Sequence, residues 1–261
     1  RRPLIGGMII LPLMFSFPLI GAAGQTGTID YPEEWHEIRD IIEADEGDYQ
    51  ILFLPWHMYI RFSWLPNDDK ILASPALGFF GTKVIAADNI EYGSYSQSVN
   101  PVSRYVEFLL ARSHDLDNLG ELLAPLNVRY IILVDEADFP HYEFLRQQED
   151  LKMVIQRPGI TLFQNAYPHG PAYGVDKVRS LANLEELVEL SRTSDILGSA
   201  YVLEANGNSL EGASINEDTP DFPVVNRVHP ARFRIGKTDK PYTIFVTKHG
   251  ATSRHWRLGG R

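Results

Sequence analysis

The sequence predicts a mixed α/β protein in three parts: an N-terminal transmembrane helix, a layered α/β domain, and an incomplete β-rich, sandwich-like domain. Three observations predict this. The N-terminal part, residues 1–29, is free of charge from Pro3 to Ile29, apolar strands alternate with amphipathic helices over residues 30–170, and short strands between turn residues take over in 171–261.

From Pro3 to Ile29 there is no Asp, Glu, Lys, Arg or His, and Leu4–Ala23 (LIGGMIILPLMFSFPLIGAA) is almost continuously apolar. Some 20 such residues, rising about 1.5 Å each, span the ~30 Å hydrocarbon layer of a bilayer. Pro12 and Pro18 are tolerated in membrane helices, where neighbours re-satisfy the backbone. Arg1 and Arg2 flank one end while Asp30, Glu33 and Glu34 flank the other, so the positive-inside rule puts residues after about 29 on the extracytoplasmic side of the cell membrane. Two other readings stay open. One is a signal peptide with small residues Gly21 and Ala23 before the cut, although its core would exceed the usual length. The other is a buried core helix, which the lack of a polar face disfavours. A first residue that is Arg rather than Met points to a piece of a longer protein, entered at its last membrane crossing.

Asp30-Tyr-Pro-Glu-Glu starts a helix, with Asp30 near the cap, Pro32 in the first turn and acids facing the positive end of the dipole. Trp35, Ile38, Ile41 and Ile42 form its apolar stripe, and Gly47 ends it. Gln50–Leu54 (QILFL) reads as a buried strand and Lys83–Ala87 as a second. Asn100-Pro101 caps a helix whose face carries Val102, Tyr105, Val106, Leu109 and Leu110. A short helix over Leu119–Leu126 leads into Val128–Val134 (VRYIILV), the clearest buried strand. Pro140–Gln148 reads as a helix, and Leu151–Gln156 with Ile160–Gln164 as a hairpin across Pro158-Gly159. Beyond Pro168-His-Gly-Pro171 come a helix near Leu181–Leu190, a strand at Ala200–Glu204 and a polar loop at 205–220. Strands at Val224–Val228, Ala231–Ile235 and Tyr242–Val246 follow, too few to close a sandwich.

Composition narrows the function. The chain has 261 residues, 24 Lys+Arg against 34 Asp+Glu, and no cysteine. With pI near 5.3 it is not expected to bind nucleic acid. The lack of cysteine excludes disulfides, Cys-ligated zinc, iron–sulfur clusters and thiol catalysis.

Several phrases resemble a family. YPEEWHEIRDIIEADEGDYQILFLPWHMYIRFSW is similar to the extracytoplasmic segment after the last membrane helix of prokaryotic polytopic proteins, the GT-C-type glycosyltransferases and YfhO-like membrane proteins. LGELLAPLNVRYIIL, FLRQQEDLKMVIQRPGITLFQNAY and VVNRVHPARFRIGKTDKPYTIFV, followed by Trp256, continue the resemblance. It implies a β-sandwich after the α/β domain and a role accessory to sugar transfer from a lipid-phosphate donor. The family's catalytic acids lie in loops between earlier membrane helices, so no catalytic residue carries over. The tail KHGATSRHWRLGGR departs from the family pattern.

Trp56, His57, Tyr59, Phe62 and Trp64 cluster directly after the QILFL strand. The carboxyl ends of such strands face the binding crevice, and aromatics with His suit stacking on a sugar, so Trp56, His57, Tyr59 and Trp64 are candidate substrate-binding residues. The competing use is anchorage of a loop, or rest at the membrane interface, where Trp and Tyr are enriched. Asp135, Glu136 and Asp138 follow the VRYIILV strand and offer oxygen ligands to a divalent cation, with a solvated turn as the alternative. Asp68-Asp69 reads as a polar turn after Pro66-Asn67. No histidine pair has metal-ligand spacing, Gly93-Ser94 lacks the nucleophile-elbow pattern, and Gly78-Phe-Phe-Gly81 is no phosphate loop. No metal, cofactor or catalytic residue is expected. The expected partners are membrane lipid, a glycan acceptor and a lipid-linked sugar. The rival reading is a non-enzymatic, membrane-anchored surface domain that binds carbohydrate or a protein partner.

Overall fold

The computed structural model describes residues 30–65, 71–81, 83–90, 98, 100–167, 170–175 and 177–203, together with three strands between 225 and 246. The apolar run at 4–23, Asp68-Asp69 and Gly93-Ser94 lie outside the described residues. Among the described residues no helix is long and apolar enough to cross a membrane.

The protein is mixed α/β. Its centre is a five-stranded sheet made of β1 (Gln50–Leu54), β4 (Val84–Ile85), β5 (Val128–Val134), β6 (Leu151–Arg157) and β7 (Ile160–Asn165), in the order β4-β1-β5-β7-β6. β4 and β5 run parallel to β1 on its two sides, and the β6–β7 hairpin adds antiparallel to β5. The parallel strands read as continuous apolar runs because both sheet faces are covered. On one face Leu52, Leu54, Ile131, Leu133 and Phe163 meet α3 (Pro101–Leu110) and α4 (Leu119–Leu123) through Val106, Leu109, Leu119 and Leu122. On the other face Ile51, Phe53, Ile132, Val134 and Leu162 meet Trp35, Ile38 and Ile42 of α1 (Glu33–Glu43). Each such side chain, fully buried, contributes about 1.5–3 kcal/mol.

Capping follows the sequence in part. Asn100 accepts from the Val102 N–H at 3.0 Å, as Asn-Pro predicts, and Asn183 accepts from Glu186 in α5 (Leu184–Ser191). Asp30 does not cap α1: the cap position is Pro32, with no side-chain acceptor, so Glu33 and Glu34 in the first turn carry the favourable dipole contact.

Other segments depart from the sequence reading. The Lys83–Ala87 strand contracts to Val84–Ile85. Pro140–Gln148 is not an α-helix: Phe139–Gln147 winds as a 3-10 helix. Phe139, Tyr142 and Leu145 recur every third residue, which suits 3.0 residues per turn and turns one ridge inward. Five elements went unread: β2 (Tyr59–Arg61) and β3 (Ile71–Ala73), which pair as a hairpin, the short α2 (Ala76–Phe80), and the strands β8 (Ala172–Val175) and β9 (Lys177–Leu181). β9, α5 and β10 (Ser199–Leu203) make a parallel β-α-β unit. The C-terminal strands are β11 (Val225–His229), β12 (Arg232–Ile235) and β13 (Thr243–Val246). β11 pairs antiparallel with β12, and β13 with β8.

Candidate site at the carboxyl ends of the parallel strands

The chain leaves β1 for β4 on one side, then leaves β4 for β5 on the other, so strand order reverses at β1. In open α/β sheets, ligands sit outside the carboxyl ends of the strands at such a switch point. The loop after β1 supplies Trp56 and His57, and the loop after β5 supplies Asp135, Glu136 and Asp138. The structure joins these two sets. His57 Nε2 lies 2.8 Å from Asp138 Oδ1, and His141 Nδ1 lies 3.6 Å from Asp138 Oδ2. Ser63 donates its backbone N–H and its hydroxyl to Glu136 Oε1, at 2.8 and 2.7 Å. Ala137, between the two acids, holds φ = +51°, a left-handed conformation that costs a residue with a Cβ about 1–2 kcal/mol.

The aromatic cluster divides. Trp56 is 7% exposed and belongs to the α3/α4 side of the core. Its backbone N–H donates to the Tyr142 hydroxyl at 2.9 Å, and its indole N–H donates to Glu107 at 3.3 Å. Phe62 and Trp64 turn to the opposite face, with ring centroids 5.7 and 5.9 Å from Trp35. Trp64 also meets Tyr31 at 5.4 Å. Tyr59 stands outward, 48% exposed. Of the four candidate residues, His57 is thus the one whose polar atom bridges the two loops.

The three acids diverge. Asp138 turns to the histidines and Glu136 to Ser63. Burial lifts the Asp135 carboxyl above its ordinary range, against the Gly159 N–H and the Arg146 charge, which pull it down. Among the described residues no group of three or more His, Asp or Glu side chains is placed to hold a metal ion. Chemically, the crevice offers an oriented imidazole, carboxylates and a hydroxyl, a set suited to hydrogen-bonding a polar ligand.

A groove of about 600 Å³ lies at the opposite end of the sheet, lined by Glu121, Tyr167, Ser191, Ser194 and Asp195. Its polar groups mostly serve the fold. Glu121 accepts from Ile196 N–H and from Asn118, and Ser191 and Ser194 donate to Val188 and Leu190 carbonyls. Beside it lies a buried network that sequence reasoning missed. Asn165 donates to the Gly120 and Val128 carbonyls, Gln148 bridges Leu116 and Leu119, and Asp150 accepts from Glu121 N–H at 2.8 Å. A Cβ at Gly120 would fall 2.6 Å from Asn165 Oδ1, so this network closes directly over a glycine. The Asp138-x-x-His141 spacing was a legible signal for the histidine contact; nothing local announced the network.

No family model matches this chain, and no curated protein matches it. Among solved structures it is similar to the arabinofuranosyltransferase AftD from Mycobacteria, at 15% identity and a TM-score of 0.48, over 71% of this chain and 17% of that one. Two structures of a mutant form of the same protein give TM-scores of 0.47 at 14% and 15% identity, over 72% and 73% of this chain. The chain spans less than a fifth of the length of these neighbours.

Proposed function

We propose that this chain is the extracytoplasmic C-terminal portion of a membrane glycosyltransferase-like protein, anchored by residues 4–23. Its part is accessory: it holds a glycan, or the sugar of a lipid-phosphate donor, while transfer occurs elsewhere in the parent protein. The observation that carries the reading is the meeting of His57 and Asp138 across the switch point, with Glu136 and Ser63 beside them. Paired polar side chains held between two strand-end loops suit the hydroxyl-rich surface of a sugar. The resemblance of YPEEWHEIRDII and LGELLAPLNVRYIIL to GT-C-type proteins supports the same class.

The test is binding of a panel of neutral oligosaccharides, and of a short-chain polyprenyl-phosphate sugar, to the full chain in detergent. His57→Ala and Asp138→Ala are expected to weaken binding at least about tenfold, or ~1.4 kcal/mol, with circular dichroism unchanged. Binding that both variants leave intact would move the site elsewhere. No binding to any sugar would favour the anchored module with a protein partner.

A further inference from the structure

We infer that the outer face of the β2–β3 hairpin, together with the exposed side of α2, rests on the phospholipid surface beside the anchor. The register pairs Tyr59 with Ala73 and Arg61 with Ile71, so these four residues share one face of the hairpin. Ile60 and Leu72 take the other face, and Ile60 is buried in the core. On the outer face Tyr59 is 48% exposed and Ile71 57%. In α2, Ala76 and Phe80 are buried while Leu77 is 54% exposed. Three large apolar side chains thus stand in solvent within residues 59–77, and such grouping marks a contact surface.

What covers them follows from where the chain enters the fold. This step rests on the reading of residues 4–23 as a membrane anchor. Tyr31 lies just beyond the apolar run, and its ring sits 4.3 Å from Phe79 of α2 and 5.4 Å from Trp64 just past β2. The stretch from Ala23 to Tyr31 is eight residues, which reach at most about 28 Å even when fully extended. Tyr31 is therefore tethered within that distance of the bilayer, and Phe79 of α2 and Trp64 just past β2 pack directly on its ring. Tyr is a preferred interfacial residue, Ile and Leu insert, and Arg61 beside them can extend its stem and reach a lipid phosphate. The net charge of −10 argues that the contact is apolar rather than an attraction to anionic lipid.

The cysteine-free sequence makes the test direct. Tyr59→Cys, Ile71→Cys and Leu77→Cys, with Val154→Cys and Tyr167→Cys as exposed controls, are labelled with an environment-sensitive fluorophore in the full chain. The protein is reconstituted in phosphatidylcholine vesicles, with and without phosphatidylglycerol, and quenched by nitroxide-bearing lipid or by aqueous iodide. Lipid quenching at 59, 71 and 77 is expected to be at least about twofold stronger than at the controls, and unchanged by phosphatidylglycerol. Quenching equal to the controls, with the chain retained after carbonate washing, overturns this inference and leaves the anchor standing. Labels shielded from iodide but not reached by lipid nitroxide overturn it in favour of a protein partner or a second copy. Release of the chain by carbonate overturns the anchor reading, and this inference with it.

Discussion

Asp45 is half-buried and Asp150 buried, and their surroundings act in opposite senses. Burial pushes the Asp45 carboxyl up, but the Gly47 N–H, the Tyr130 hydroxyl and the Arg129 guanidinium outweigh it and hold the group below its ordinary value. Asp150, 8% exposed, is also pushed up by burial, and the Glu121 and Gly120 N–H groups offset this in part only. The linkage signs differ accordingly. A depressed carboxyl such as Asp45 stabilises the fold above its unfolded value, about 3.9, and loses that contribution as pH falls through the folded value. A raised carboxyl such as Asp150 contributes fully below the unfolded value and loses it as pH rises through the folded one. Asp45→Asn is therefore expected to cost about 1.5 kcal/mol at pH 7, a cost that fades toward pH 3. Asp150→Asn keeps an acceptor for Glu121 N–H, and its stability relative to the parent is expected to be better at pH 7 than at pH 3. Urea titrations at the two pH values check both, and parallel pH profiles for the two variants would refute the assignment.

At the scale of elements, Trp35 is the largest of the three buried side chains that seat α1. Trp35 is 2% exposed and meets Tyr31, Phe53, Phe62, Trp64, Phe79 and Phe80, with ring centroids 5.5–5.9 Å away. Such pairs add about 0.5–1.5 kcal/mol each beyond burial alone. Trp35→Ala leaves a large cavity at the junction of α1, β1, β2 and α2, and is expected to cost about 3–5 kcal/mol in denaturant unfolding. The same junction shows what a sequence can disclose. β1, β5, α3 and the β6–β7 hairpin were legible because their apolar runs, caps and Pro-Gly turn are local signals. β2 and β3 were not, since three-residue strands such as Tyr59–Arg61 carry no measurable alternation. Trp56, Tyr59 and Trp64 looked like one patch because they are neighbours in sequence. The β2 strand between them sends Trp56 to one core face and Trp64 to the other, leaving Tyr59 in solvent. His57 and Asp138 were both visible as candidates, but their meeting depends on β1 and β5 being adjacent, a tertiary fact that no spacing encodes.

For the whole molecule, the change of sequence texture near residue 170 suggests two domains, yet the core does not stop there. Leu181, Leu187, Val188, Ile196 and Leu197 lie in the same buried cluster as Leu52, Ile131 and Phe163. Polar ties cross as well: Arg112 pairs with Glu185, Arg192 donates to the Asp115 carbonyl at 2.9 Å, and Ile196 N–H donates to Glu121 at 3.2 Å. If 171–203 were an independent unit, ending the chain after residue 170 would leave the unfolding of the α/β part unchanged. The shared cluster predicts otherwise. Removal of these side chains bares the α4 side of the core, and each lost burial is worth roughly 1.5–3 kcal/mol. With about 2–4 °C of melting temperature per kcal/mol for a unit of this size, the shortened chain is expected to melt at least ~10 °C below one that continues through residue 203. The longer chain is expected to unfold in one calorimetric transition, because the two segments share one buried cluster. Two separate transitions, or equal melting temperatures for the two lengths, would show that the contacts across residue 170 bind the segments only loosely.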